Sequence, residues 1–231
     1  VDLYPYSGAF GSATKGPFQT GALLTAIRLG GAVSPDQAGQ FDAEFTRSGS
    51  TSENNSSIGR VNEQGRFDVS FTWTGPTLVS VSGPYINDFT GGVSTLPPAQ
   101  AGQVTVSVAA GEIAIANIHI PSSIAAKIVE RDTDVTDTDI LDANRTVAMM
   151  ILGVDTDISL IDITDTTSEL AKKALEFHLA VAAAAGLDTV GAAIEQLAGN
   201  VAAGDSFGAP VEGLPNVVSE ETIRRVREQI A

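Results

Sequence analysis

Arg66-Phe67-Asp68-Val69-Ser70-Phe71-Thr72-Trp73 decides the fold class, because Phe67, Val69, Phe71 and Trp73 share one face of an extended chain and polar groups take the other. A strand with one buried side accounts for that two-residue period. The period recurs outward from this stretch: Phe41, Ala43 and Phe45 alternate with Asp42, Glu44 and Thr46, and Val104, Val106 and Val108 alternate with Thr105 and Ser107. Further strands are expected at 19–29, 77–82, 84–89 and 112–120. Gly30-Gly31, Ser34-Pro35-Asp36, Asn62-Glu63-Gln64-Gly65, Gly75-Pro76, Gly83-Pro84, Gly91-Gly92 and Ala110-Gly111 punctuate the runs as turns. Short strands at such spacing predict an antiparallel sandwich. Residues 47–57 read as a loop too polar to pack alone.

From about residue 119 the grammar becomes helical. Pro121 suits a first turn, and a second helix is expected to start near Thr136 to Asp139 and to end at Gly153. Thr166-Thr167-Ser168-Glu169 reads as a capping box for a third helix, with Leu170, Ala174, Phe177 and Val181 on one stripe and Gly186 as its stop. Asp188 caps a fourth helix bearing Val190, Ile194, Leu197 and Val201 and ended by Gly204, so the two should form a hairpin. Ser219 caps a last helix whose docking face is Ile223, Val226 and Ile230. The expected class is α+β: a 1–14 N-terminal extension, a 15–118 antiparallel β-sandwich and a 119–231 small acidic helical domain, with two cores of ordinary size.

The chain carries a formal net charge of −15, and residues 116–231 hold nineteen acids against eight bases. Such a balance repels phosphate backbones, and the bases form no stripe, which argues against nucleic-acid binding. With no cysteine, thiol catalysis, thiolate metal sites and disulfides are excluded within these residues. No apolar run reaches the ~20 residues of a transmembrane helix, and Val1-Asp2-Leu3-Tyr4 lacks the pattern of a signal peptide. The expectation is a mature exported bacterial protein, extracellular or on the cell surface; any lipid anchor would have to precede Val1.

Lys15-Gly16-Pro17-Phe18-Gln19-Thr20-Gly21, then Gly65-Arg66-Phe67, then Tyr85-Ile86-Asn87-Asp88-Phe89-Thr90-Gly91, together resemble a class of bacterial extracellular modules that open on a "KGPF" segment. Ile115-Ala116-Asn117-Ile118 and Ile124-Ala125-Ala126-Lys127-Ile128 extend the likeness into an alanine-rich helical region. The class is similar to carboxypeptidase-regulatory-like domains of surface proteins and lipoproteins. The resemblance implies an Ig-like or transthyretin-like sandwich and carries no catalytic residue.

Gly204-Asp205-Ser206-Phe207-Gly208 matches the G-x-S-x-G pattern, but a nucleophile elbow needs a strand before it and a helix after it, and here a helix precedes a Gly/Pro linker. His119 and His178 stand outside any zinc spacing. Gly11-Ser12-Ala13-Thr14-Lys15-Gly16 has the wrong order for a phosphate loop. Asn54, Asn55 and Asn144 head glycosylation sequons by pattern. Asp132, Asp134, Asp137, Asp139, Asp155 and Asp157 offer oxygen ligands of the kind calcium takes, though without an EF-hand loop; helix capping is the competing role.

The segment Val1 to Phe10 has two readings. It is an edge strand on its own sandwich, or it adds to a neighbouring subunit through Val1, Leu3, Tyr4, Tyr6 and Phe10, a head-to-tail contact that builds a fibre. The function expected is a non-enzymatic extracellular structural subunit whose partner is itself. The alternative is a monomeric surface module that binds glycan or protein, with Tyr4, Tyr6, Trp73 and Tyr85 as contacts. A third reading, an enzyme using the acidic half with a bound cation, finds no specific carboxylate pair.

Overall fold

A computed structural model describes residues 7–14, 18–29, 50–51, 56–62, 65–71, 73–87, 91–98, 101–185 and 190–204, with backbone alone for 50–51 and 56–60. The chain is mixed α+β, strands first. The strands are β1 (Ser7–Ser12), β2 (Leu23–Arg28), β3 (Ser50–Thr51), β4 (Ser56–Arg60), β5 (Arg66–Phe71), β6 (Gly75–Ile86), β7 (Val93–Leu96), β8 (Gly102–Val108) and β9 (Ile113–Ile115). The helices α1 (Ile120–Val129), α2 (Asp137–Leu152), α3 (Glu169–Ala185) and α4 (Val190–Ala202) follow, with a 3₁₀ turn at Ile158–Leu160. The expected strand at 41–45, the 47–57 loop apart from its described backbone, and the helix after Ser219 lie outside the described residues.

In β5, Phe67, Val69 and Phe71 are buried and Arg66, Asp68 and Ser70 are exposed, as the alternation requires. Trp73 stacks on Phe71 with ring centroids 4.5 Å apart, and its indole N–H donates to Thr77 Oγ1. The two strands expected at 77–82 and 84–89 are instead one, β6. Gly83 takes a φ of 114°, open to glycine, so the strand passes through Gly83-Pro84 and exchanges partners there. Before the glycine it lies between β2 and β8; after it, it pairs with β7.

Six strands run β3-β4-β2-β6-β7 with β8 also on β6, and a second sheet runs β5-β1-β9. The N-terminal strand is therefore the middle of a sheet of its own chain, antiparallel to β5 and parallel to β9. Its glycines permit the fit: a Cβ on Gly11 would stand 2.2 Å from the Ala116 carbonyl oxygen. Beyond β1, Thr14 N–H donates to Ile118 C=O, so the segment after β1 is laced to the residues leading into α1.

The helices cover β8. Its outer edge is closed by side chains: Ser123 Oγ accepts from Gln103 N–H, the Ser122 and Ser123 hydroxyls lie within bonding distance of Gln103 C=O, and Asn144 Nδ2 donates to Thr105 C=O. These bonds block further pairing at Gln103 and Thr105. The buried side chains of strands and helices form one continuous cluster from Ala9 to Val201, where two cores were expected. Helix α4 buries Val190, Ile194, Leu197 and Val201 as read from sequence, but packs more extensively on α1 than on α3. The α3 cap is Ser168, whose Oγ accepts from Ala171 N–H, two residues after the expected Thr166.

Candidate functional site

The residues that most resemble chemistry meet where the sheet passes into α1. His119 is buried and is the N-cap of α1: its Nδ1 accepts Ser122 N–H at 3.1 Å, and Ser122 Oγ accepts His119 N–H at 3.0 Å. With Nδ1 an acceptor, Nε2 carries the proton and donates to Ile161 C=O at 3.0 Å. Burial lowers the His119 pKa to about 4, against the Ile161 hydrogen bond and the nearby Asp162 carboxylate, which raise it. Ser122 thus gives the imidazole its backbone N–H and not its hydroxyl, so the pair is a cap and not a nucleophile with its base. His178 is likewise buried in the core, and its Nδ1 accepts Ile120 N–H.

Beside this cap, Asn117 Oδ1 accepts the Ser12 N–H and lies 3.0 Å from the Ser12 hydroxyl, while its Nδ2 donates to Ser159 C=O. Ser12 Oγ also lies 2.9 Å from Asp162 Oδ1, which accepts from Thr164 N–H and Oγ, and Asp162 pairs with Arg66 at 2.8 Å. Burial opposes the Asp162 charge, but the Thr164 and Ser12 hydrogen bonds and the Arg66 guanidinium outweigh it and hold the pKa below the carboxylate value. The network ties β1, β5 and the loop after the 3₁₀ turn together.

The aspartates of the calcium reading are not gathered. Among the described residues no three metal-binding side chains form a group. Asp139 accepts from Thr136 N–H and Oγ in the α2 capping box, and Asp137 lies in that helix's first turn. Asp155 faces Arg145, and Asp157 Oδ1 accepts from Ser159 and Asn144. Asp132 and Asp134 are exposed in the α1–α2 connection. Capping accounts for Asp139 and Asp157, and Asp137 lies at the positive end of α2. Asn144 is fully buried, which removes its sequon from use.

Of the residues expected to join subunits, Val1, Leu3, Tyr4 and Tyr6 lie outside the described residues. Phe10 is described: its backbone pairs on one side with Asp68 and on the other with Ile115, and its ring is 45% exposed. Tyr85 and Trp73 are buried, so neither can touch a glycan. Around Phe10 lies a feature that alternation did not reveal. Ile115 stands directly across from Phe10 and Ile113 across from Gly8, both exposed, and Leu160 is half exposed nearby.

A groove of about 460 Å³ adjoins this face, lined by Val106 and Ser107 of β8, Ala114 and Ile115 of β9, Ile140 and Leu141 of α2, and Leu160. Sequence reading missed it because Ile113, Ala114, Ile115 and Ala116 are apolar in both registers, leaving no signal for the outward side. A smaller cavity of about 320 Å³ between β8, α1 and α4 has its charges paired, Lys127 with Glu130 and Glu195. The candidate site is therefore the apolar sheet face at Phe10, Ile113 and Ile115 with its groove.

Compared with protein-family models, curated proteins and solved structures, the chain matches none.

Proposed function

We propose that this chain is a non-enzymatic module of the bacterial exterior that holds another polypeptide at the cell surface. The observation that carries the reading is the contrast between its polar and apolar groups. The histidines and the Asp162 network are engaged in caps and strand lacing, while Phe10, Ile113, Ile115 and Leu160 are left to solvent on one side. The composition supports an exported protein, and the KGPF resemblance supports an Ig-like or transthyretin-like sandwich. In its favour, Phe18 of the first motif bridges Tyr85 of the third, with rings 6.1 Å apart.

The fibre reading has a narrower basis. Residues 7–12 already pair on both sides within the chain, so a donated strand would have to come from residues 1–6. Negative-stain images of the full chain and of a deletion of residues 1–6 decide it: filaments lost on deletion favour the fibre, monomers in both favour the binding module. The exterior placement is tested with a single-cysteine Val93→Cys variant, since the chain has no cysteine of its own. A membrane-impermeant maleimide should label it on intact cells; protection until lysis would contradict the proposal.

A further inference from the structure

We infer that the outer edge of β9 is a docking site for an extended basic segment of another polypeptide, which adds as a strand and rests apolar side chains in the groove beside it. The inference rests on the proposed binding role and names its partner chemistry. In the parallel ladder, Gly8 N–H donates to Glu112 C=O and Ala116 N–H donates to Phe10 C=O, so the even-numbered residues of this segment face β1. The backbone groups of Ile113 and Ile115 must then point to the opposite edge. Strand β9 is terminal in its sheet, and among the described residues no strand pairs with that side.

The contrast with β8 gives this meaning. There, Ser122, Ser123 and Asn144 are spent closing the edge at Gln103 and Thr105; on the β9 side Ser159 C=O takes the Asn117 N–H, but among the described residues nothing covers the outward groups of Ile113 and Ile115, which sit among exposed apolar side chains. The groove is lined by Ala114 and Ile115 on the β9 side, by Val106 and Ser107 of β8 and by α2, so it lies beside the strand between these elements. A strand added there would satisfy the edge amides and place alternate side chains against Ile140, Leu141 and Leu160.

Charge selects the occupant. Among the described residues the groove lining includes the carboxylates of Asp137 and Asp157 and no basic side chain, and exposed Glu112 precedes β9. A second copy of a chain carrying −15 would bring like charge to the same edge, whereas a lysine- or arginine-bearing strand is attracted to it.

The test is fluorescence anisotropy of the full chain with a labelled peptide of alternating valine and lysine, against a valine–glutamate peptide and a backbone N-methylated valine–lysine peptide. Saturable binding of the first, at least tenfold weaker for the other two and at least tenfold weaker for Ile115→Pro, is expected. Proline at 115 removes an outward N–H and no bond to β1, so the fold survives; unchanged circular dichroism and melting confirm it. A second variant, Leu160→Lys, should also lose at least fivefold by removing an apolar contact and placing like charge against the basic peptide. Equal binding by all peptides, no binding, or an Ile115→Pro-sensitive dimer with no peptide binding would each overturn the inference. A polypeptide cross-linked through position 10 while the peptide fails to bind would sink this inference and leave the binding role standing.

Discussion

Ser12 and Asn117 lie 105 positions apart in sequence, yet the Ser12 N–H and hydroxyl both reach Asn117 Oδ1 at 3.0 Å. Through this contact the chain's first described strand is locked to the residues that lead into α1. Asn117 cannot turn away, because its Nδ2 and its backbone N–H both donate to Ser159 C=O. Strand β1 is thus structural cement between sheet and helices.

Acid should weaken the fold through His119. An unfolded histidine protonates near 6.5 and the folded one near about 4, so the protein is unaffected above pH 6.5 and loses stability as the pH falls towards 4. The full loss is on the order of 3 kcal/mol. Urea titrations at pH 7 and pH 4.5 measure it, and His119→Asn, which keeps a capping acceptor, should flatten the slope. Asp162, with its lowered pKa, adds a further loss below 3.8 as its carboxylate protonates.

Gly11→Ala should cost about 3 kcal/mol, since its Cβ would meet the Ala116 backbone and β1 cannot move without breaking two ladders. The denaturation midpoint reports the cost. A change below ~0.5 kcal/mol would mean that β1 is not held between β5 and β9.

Asp162→Ala and Arg66→Ala separate the network from its ion pair. The Arg66 side chain is half exposed, so its removal should cost less than about 1 kcal/mol. Removing Asp162 also strips an acceptor from Thr164 and Ser12 and should cost about 2–3 kcal/mol. Equal effects in thermal melts would show that the ion pair alone matters.

Calcium should leave the melting temperature unchanged, because Asp139 and Asp157 are held in capping bonds, Asp155 faces Arg145, and among the described residues no three metal-binding side chains form a group. A saturable rise with calcium, reversed by chelator, would restore the cation reading.

The alternating strand β5 and the capped helices were legible because a single local rule governs each: β5 by period two, α2 by Thr136 and Gly153, α4 by its four-residue stripe; β8 was legible by its alternating valines, but Gln103 and Thr105 are buried as well because helices cover its other side. What was not legible depends on distant partners. Gly83-Pro84 carries turn chemistry yet lies within a strand, because β7 pairs onto the segment after it. The apolar face could not be foreseen because only the parallel pairing with β1 decides which isoleucines of β9 look outward.

The most direct test of the account places a photo-crosslinker on a single cysteine at Phe10→Cys, with Val93→Cys on β7 as control, in the full chain on intact cells. Both positions are exposed and they lie in different sheets. A discrete polypeptide adduct from position 10 that is absent from position 93 is the predicted result. No adduct from position 10, or the same adducts from both, would contradict a polypeptide-binding face at Phe10, Ile113 and Ile115.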